Sequence, residues 1–380
     1  LAAVVCGSGA WSAEAGRYPK FEIDPSWPKQ LPNNMIYGDP AGVAVDAKDH
    51  VWIYTRQRSV NPEFLGLTKT PPTSVCCTYA PSVIELDNDG NYIQGWGGPF
   101  TPTADAAKYE WPEGEHGITV DYKDNVWLCG YVKNAEAKKD DNSCLKFTRD
   151  GKFVKQLGKP GPRKGDQDTS QLGQPADFWV DETTNELYVA DGYGNHRIIV
   201  FDATTFAYKR HWGAYGKTPE AEANPSSNDP GGHTYDPNGP IPQTFNNPVH
   251  CVKIALDGLV YVCDRTNNRM QIFHKDGSFV KEYFYRPETL AGSVWDLYLW
   301  PDKEQSHLVM VDGGNNEMRV IRRIDGQIIS QYGRFGRQAG QFFGVHNIAI
   351  DKFGNVFTTE VYEGKRIQRW KSLTPIVFAP

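Results

Sequence analysis

Apolar and polar residues alternate in short runs along most of the chain, and the runs come in pairs joined by Asp/Gly/Asn turns. AGVAVDAKDHVWIYTR (41–56), HGITVDYKDNVWLCGY (116–131) and HNIAIDKFGNVFTTEV (346–361) share one plan. ADFWVDETTNELYVADG (176–192) and HCVKIALDGLVYVCDR (250–265) repeat it, and WDLYLWPDKEQSHLVMVDG (295–313) is a longer variant with the same ends. Period-two alternation marks half-buried strands, and the second run of each pair is rich in Val, Tyr, Trp and Phe. A third strand follows in SVIELD, RIIVFD, RMQIFH, MRVIRRID and RIQRW, and a fourth in NYIQGWG, SFVKEYF and QIISQYG. Four short antiparallel strands recurring every roughly forty to sixty residues are the pattern of propeller blades.

The pattern therefore predicts an all-β, six-bladed β-propeller, with blades near 40–98, 114–159, 174–213, 247–286, 293–333 and 344–371. The last unit shows three clear strands, and YPKFEID (18–24) is a free strand suited to supply the fourth. Such an N-terminal strand closes the ring and removes its exposed edges. One domain is expected over 16–380, with insertions at about 57–80 and 214–246. Loops of this length are usually functional or disordered. If they rise on the face where the first strands begin, they wall or lid the centre.

Placed in this register, His116, His250 and His346 each open a unit, and the equivalent residues of the other three are Ala41, Ala176 and Trp295. Alternate blades of six stand about 120° apart, so the three imidazoles are predicted to meet at the axis as an open metal site. The chain has nine histidines, and the other six show no such register. Zinc is the first choice for three imidazoles and an open position. Copper and iron accept the same ligands. Arg56 and Arg265 end matching second strands, and Tyr193 lies in a D-G-Y-G-N turn. The guanidinium groups suit an anionic substrate, and a phenol beside a cation and two arginines is expected to ionise more easily and act as a base.

The net charge of −6 gives no basic footprint for nucleic acid. Residues 1–15 read as a signal-peptide remnant ending in the A-x-A sequence Ala13–Ala15, too short to span a bilayer, with Cys6 as a weaker lipidation candidate. A secreted or periplasmic location follows, and it makes the remaining six cysteines disulfide candidates. Cys129 with Cys144 and Cys251 with Cys263 are expected on neighbouring strands, while Cys76 and Cys77 either bond to each other or reach elsewhere.

The strongest repeats are WPEGEHGITVDYKDNVWL, QPADFWVDETTNELYVADGYGNHRIIVFD, NPVHCVKIALDGLVYVCDRTNNRMQIF and VHNIAIDKFGNVF. Through them, over roughly residues 35–371, the chain resembles NHL-repeat propellers and, more particularly, peptidyl-α-hydroxyglycine α-amidating lyase. The resemblance implies a central zinc on His116, His250 and His346, a catalytic Tyr193, and active-site arginines at Arg265 and Arg56. Three departures stand out. Gly344-Val345 replaces the Met-Pro usual before the last histidine, Asn347 replaces an Asp that helps hold a structural calcium, and Gly194 replaces a cysteine. Asn347 argues against calcium.

The expected function is a metal-dependent carbon–nitrogen lyase that splits an α-hydroxyglycine-type substrate into amide and glyoxylate. Its substrate would be a small molecule or a peptide C-terminus bearing a carboxylate. Two alternatives remain open from the sequence: a non-catalytic NHL propeller that binds a protein or polymer, and a calcium-dependent lactonase-like hydrolase, against which the histidine alternation argues.

Overall fold

Six four-stranded antiparallel sheets form the blades of a β-propeller in the computed structural model, which describes residues 18–132, 140–219 and 236–376. Their strands fall at 39–96, 115–158, 177–212, 249–284, 296–332 and 345–372, close to the expected blade limits. The sixth sheet takes its outer strand, Phe21–Asp24, from near the N-terminus, and this strand pairs antiparallel with Arg366–Ser372. Residues 1–15, expected from the sequence to be a signal-peptide remnant, and Cys6 among them lie outside the described residues, as does 220–235 of the second insertion.

The second strand of every blade is buried at nearly every position, hence on both faces, so each blade packs against two neighbours. Six separate buried clusters result, one in each gap between blades. Trp52, Tyr54, Trp127, Tyr188, Phe178 and Phe273 are among the largest fully buried side chains, and they fill these gaps. The core is therefore a ring, and the axis is free for polar groups.

Ring closure packs as well as pairs. The Phe21 ring meets Trp300 at 5.8 Å and Tyr332 at 5.3 Å, both in the fifth blade. Asp24 bonds Arg369 of the neighbouring strand.

Cys251 and Cys263 are cross-strand partners joined by a disulfide, and Cys76 and Cys77 are bonded to each other. Cys129 and Cys144 are also cross-strand partners, but they stand as buried free thiols, which corrects the pairing expected for them. No helix among the described residues is long and apolar enough to cross a membrane.

The first insertion leaves from the blade face where the inner strands begin, because Arg56 at its root pairs with Asp39. It folds into three short 3-10 turns between Gln57 and Thr68, and Gln57 anchors it by donating to the Ala80 carbonyl at 2.7 Å.

Phe21→Ala removes the aromatic anchor of the closing strand and should lower unfolding stability by about 3–5 kcal/mol, read from denaturant midpoints. Cys129 and Cys144 should react with a thiol reagent only after unfolding, as mass spectrometry of labelled peptides would report.

Candidate metal centre

The inner strands of the second, fourth and sixth blades share a local irregularity. Their register shifts between Glu115 and Ile118, between Val249 and Cys251, and between Val345 and Ile348. Each shift is a bulge at a histidine, as the first blade bulges between Pro40 and Gly42 at the equivalent Ala41, and a bulge re-aims a side chain out of the pleat. His116, His250 and His346 are thereby turned to the axis, with ring centroids 4.7–5.0 Å apart. One ring nitrogen from each lies within 4.8 Å of the others, and all three residues are buried.

The second nitrogen of each ring faces a backbone carbonyl of the next blade. Nδ1 of His116 lies 2.7 Å from Ala176 O, that of His250 2.5 Å from Trp295 O, and that of His346 2.7 Å from Ala41 O. A carbonyl only accepts, so Nδ1 carries the hydrogen and Nε2 keeps its lone pair. The three acceptors are the residues at the equivalent position of the intervening blades, which fixes the sixfold register, Trp295 included.

Burial, foremost, holds all three imidazoles well below the usual histidine range. The His346 and Arg56 charges add to this at His116, Arg265 at His250, and Arg56 at His346, whose value falls to about 3. Three neutral rings that keep their Nε2 lone pairs are the donor set that a divalent transition metal requires. A second acidic group, Asp46, His50 and Glu85, is different. The Arg149 guanidinium already lies 2.7 Å from Asp46 and 2.8 Å from His50.

Tyr193 reaches the triad from the third blade. A Cβ on Gly192 would lie 2.0 Å from the Val249 carbonyl, so only glycine lets the turn press against the fourth blade. The phenol oxygen then lies 3.0 Å from Nε2 of both His116 and His250. Arg265 donates to it from Nη1 at 3.3 Å and stacks over Trp295 at 4.3 Å. Arg265 Nε is buried and has no hydrogen-bond partner among the described residues. Arg56 donates from Nε to the Glu115 carbonyl at 3.0 Å and lies 4.8 Å over the Tyr131 ring.

The electrostatics set a condition on Tyr193 as a base. Burial pushes the Tyr193 phenol above its ordinary value, and Arg265 only partly offsets it. The two arginines alone do not make this phenol acidic.

All six residues singled out by the sequence thus converge on one end of the axis. Tyr131 and Trp295 join them without having been singled out. Tyr131 lies 5.1 Å from His116 and 4.9 Å from Tyr193. It ends its second strand at the register position of Arg56 and Arg265, but its residue type differs from theirs. As for calcium, Asn347 is bonded to Asp296, and the cation at that level is the Lys253 ammonium between Asp177 and Asp296.

Known proteins give a consistent picture. Residues 172–201 match the NHL repeat model. NHL repeat-containing protein 3 of Mus musculus is 25% identical over 260 residues, 68% of this chain and 58% of its own length. Peptidyl-alpha-hydroxyglycine alpha-amidating lyase 1 of Drosophila melanogaster is 24% identical over 372 residues, 91% of this chain and 58% of its own. The chain thus spans under two thirds of either relative. A solved streptogramin B lyase matches in fold alone, with a TM-score of 0.52 at 13% identity, over 93% of this chain and 98% of that one.

Without metal, the three imidazoles should stay neutral through the range near about pH 6.5 where a free histidine titrates, and their NMR signals should not shift there. The sign for stability follows. Below about 6.5 the unfolded chain takes up protons that the folded rings refuse. Urea midpoints of the metal-free protein should therefore fall as pH drops from about 6.5 to 5.

The repeats, the blades and the relatives together identify the chain as a six-bladed β-propeller with an NHL repeat, resembling the peptidyl-α-hydroxyglycine α-amidating lyases.

Proposed function

We propose that this propeller is a secreted, zinc-dependent lyase that cleaves the N–C bond of an α-hydroxyglycine-type substrate to a primary amide and glyoxylate. The supporting observation is the convergence of three neutral imidazoles, one phenol and two guanidinium groups at one end of the axis. His116, His250 and His346 would hold the metal through Nε2. When bound, the metal supplies Lewis-acid polarisation of a hydroxyl oxygen and lowers its pKa.

The protein's own groups then have defined tasks. Arg265, with its free Nε, and Arg56 grip the substrate carboxylate and fix the carbinol carbon near the triad. Tyr193 takes the hydroxyl proton on its phenolate oxygen and delivers a proton to the departing amide nitrogen. The C–O bond gains double-bond character as the C–N bond breaks, so atoms and charge balance without a redox partner. Burial opposes ionisation of Tyr193, so the positive charge around it must provide the phenolate. The Cys251–Cys263 disulfide fits an oxidising compartment.

Purified protein reconstituted with zinc should hold one ion per chain by elemental analysis, and His→Ala at any triad position should cut its affinity at least tenfold. Tyr193→Phe should keep the ion but lower glyoxylate release from an α-hydroxyglycine amide by at least about a hundredfold. Full activity in that variant would remove Tyr193 as the base. A native protein that binds no metal would favour a non-catalytic binding propeller.

A further inference from the structure

We infer that Asp296 and Asn347 are positioning residues for His346, linking this one ligand to a buried ion pair on the propeller axis. The inference rests on the metal reading above. It starts from an asymmetry in the triad. His116 and His250 have one backbone carbonyl each at Nδ1, whereas His346 has the Ala41 carbonyl and also the Asn347 side-chain oxygen.

Asn347 continues away from the triad. Its Nδ2 donates to Asp296 Oδ2 at 2.9 Å, and the same oxygen accepts from the Ile348 backbone at 3.1 Å. The other oxygen of Asp296 lies 3.3 Å from the Lys253 ammonium, which also bonds Asp177. Asp177, Lys253, Asp296 and Asn347 are each no more than 5% exposed. They come from the third, fourth, fifth and sixth blades in turn, so one chain of hydrogen bonds and an ion pair runs round two thirds of the axis.

An asparagine amide has a donor end and an acceptor end. The carboxylate of Asp296 can bind only the donor end, which leaves the oxygen for the Nδ1–H of His346. The amide orientation is thus set by charge. Hydrogen bonds in such a chain polarise one another. Two carboxylates against one ammonium leave negative charge at the far end, which strengthens His346 as a donor through Nε2, as outer carboxylates do for other metal-bound histidines. A buried ion pair is usually no more stable than an apolar filling of the same space. The ion pair borders a small cavity on the axis whose wall also holds the apolar side chains of Val43, Ile118, Val120 and Trp179. Stability alone therefore gives no reason for the charges.

Metal-stripped protein titrated with Zn²⁺, and separately with Co²⁺ to read its d–d absorption bands, tests the relay. Asp296→Asn and Asn347→Leu should each weaken Zn²⁺ binding by about tenfold or more and shift the Co²⁺ bands. Their combination should be no weaker than the worse single variant. Asn347→Asp in the Asp296→Asn background should recover most of the affinity, since it puts a carboxylate directly on His346. Thr119→Val lines the same cavity, makes no side-chain bond to the relay and should bind as wild type does. Should Asp296→Asn fail to fold because it weakens the Lys253 pair, Asn347→Leu carries the test with that pair intact. Equal affinity and unchanged Co²⁺ bands in Asn347→Leu, or fully additive losses in the double variant, would overturn the relay. Absence of binding by the wild type would instead overturn the metal reading beneath it.

Discussion

The site depends on a single repeated contact, the hydrogen bond from a histidine Nδ1 to the backbone carbonyl of the following blade. It fixes the tautomer, the ring orientation and the spacing of three ligands at once. Because the acceptor is main chain, the side chain at that position is free to vary, and it is Ala, Trp and Ala in the three cases. Any change in the angle between blades would move a donor relative to its acceptor. The ring of interblade cores is thus what holds the ligands in place.

A core distributed between blades has an electrostatic consequence. The axis is buried yet lined by polar groups, so charges there feel weak screening and strong desolvation together. Burial keeps the imidazoles neutral, which favours a metal, and keeps the phenol protonated, which opposes a base. The same burial thus acts in opposite senses on neighbouring groups. A cation at the triad would be the natural means of reconciling them, since it needs neutral nitrogens and favours an ionised phenol.

Much of this was legible in the chain. Alternation and turn punctuation predict the blades, and the shared register of three histidines predicts their meeting. Other features carry no such mark. A carbonyl acceptor has no residue signature, so the role of Ala41, Ala176 and Trp295 was hidden. Tyr131 differs in type from the arginines at its register position, and its place beside Arg56 and Tyr193 depends on how side chains turn at the blade ends. Cys129 and Cys144 share the cross-strand pairing of Cys251 and Cys263, yet only the latter two are bonded. Spacing alone did not separate the pairs. The neighbours of the Tyr193 phenol are readable in sequence, but the burial that opposes its ionisation is not.

The closing strand joins parts of the chain that are far apart in order of synthesis. Phe21 pairs with Ser372, and the Ala41 carbonyl meets His346 across 305 residues. A ribosome making this protein would have exposed the first two histidines long before the third ligand or its companion strand existed. The complete coordination set thus appears only when the circle shuts. A nascent or broken ring would offer two scattered imidazoles, with far less hold on a metal than the finished one.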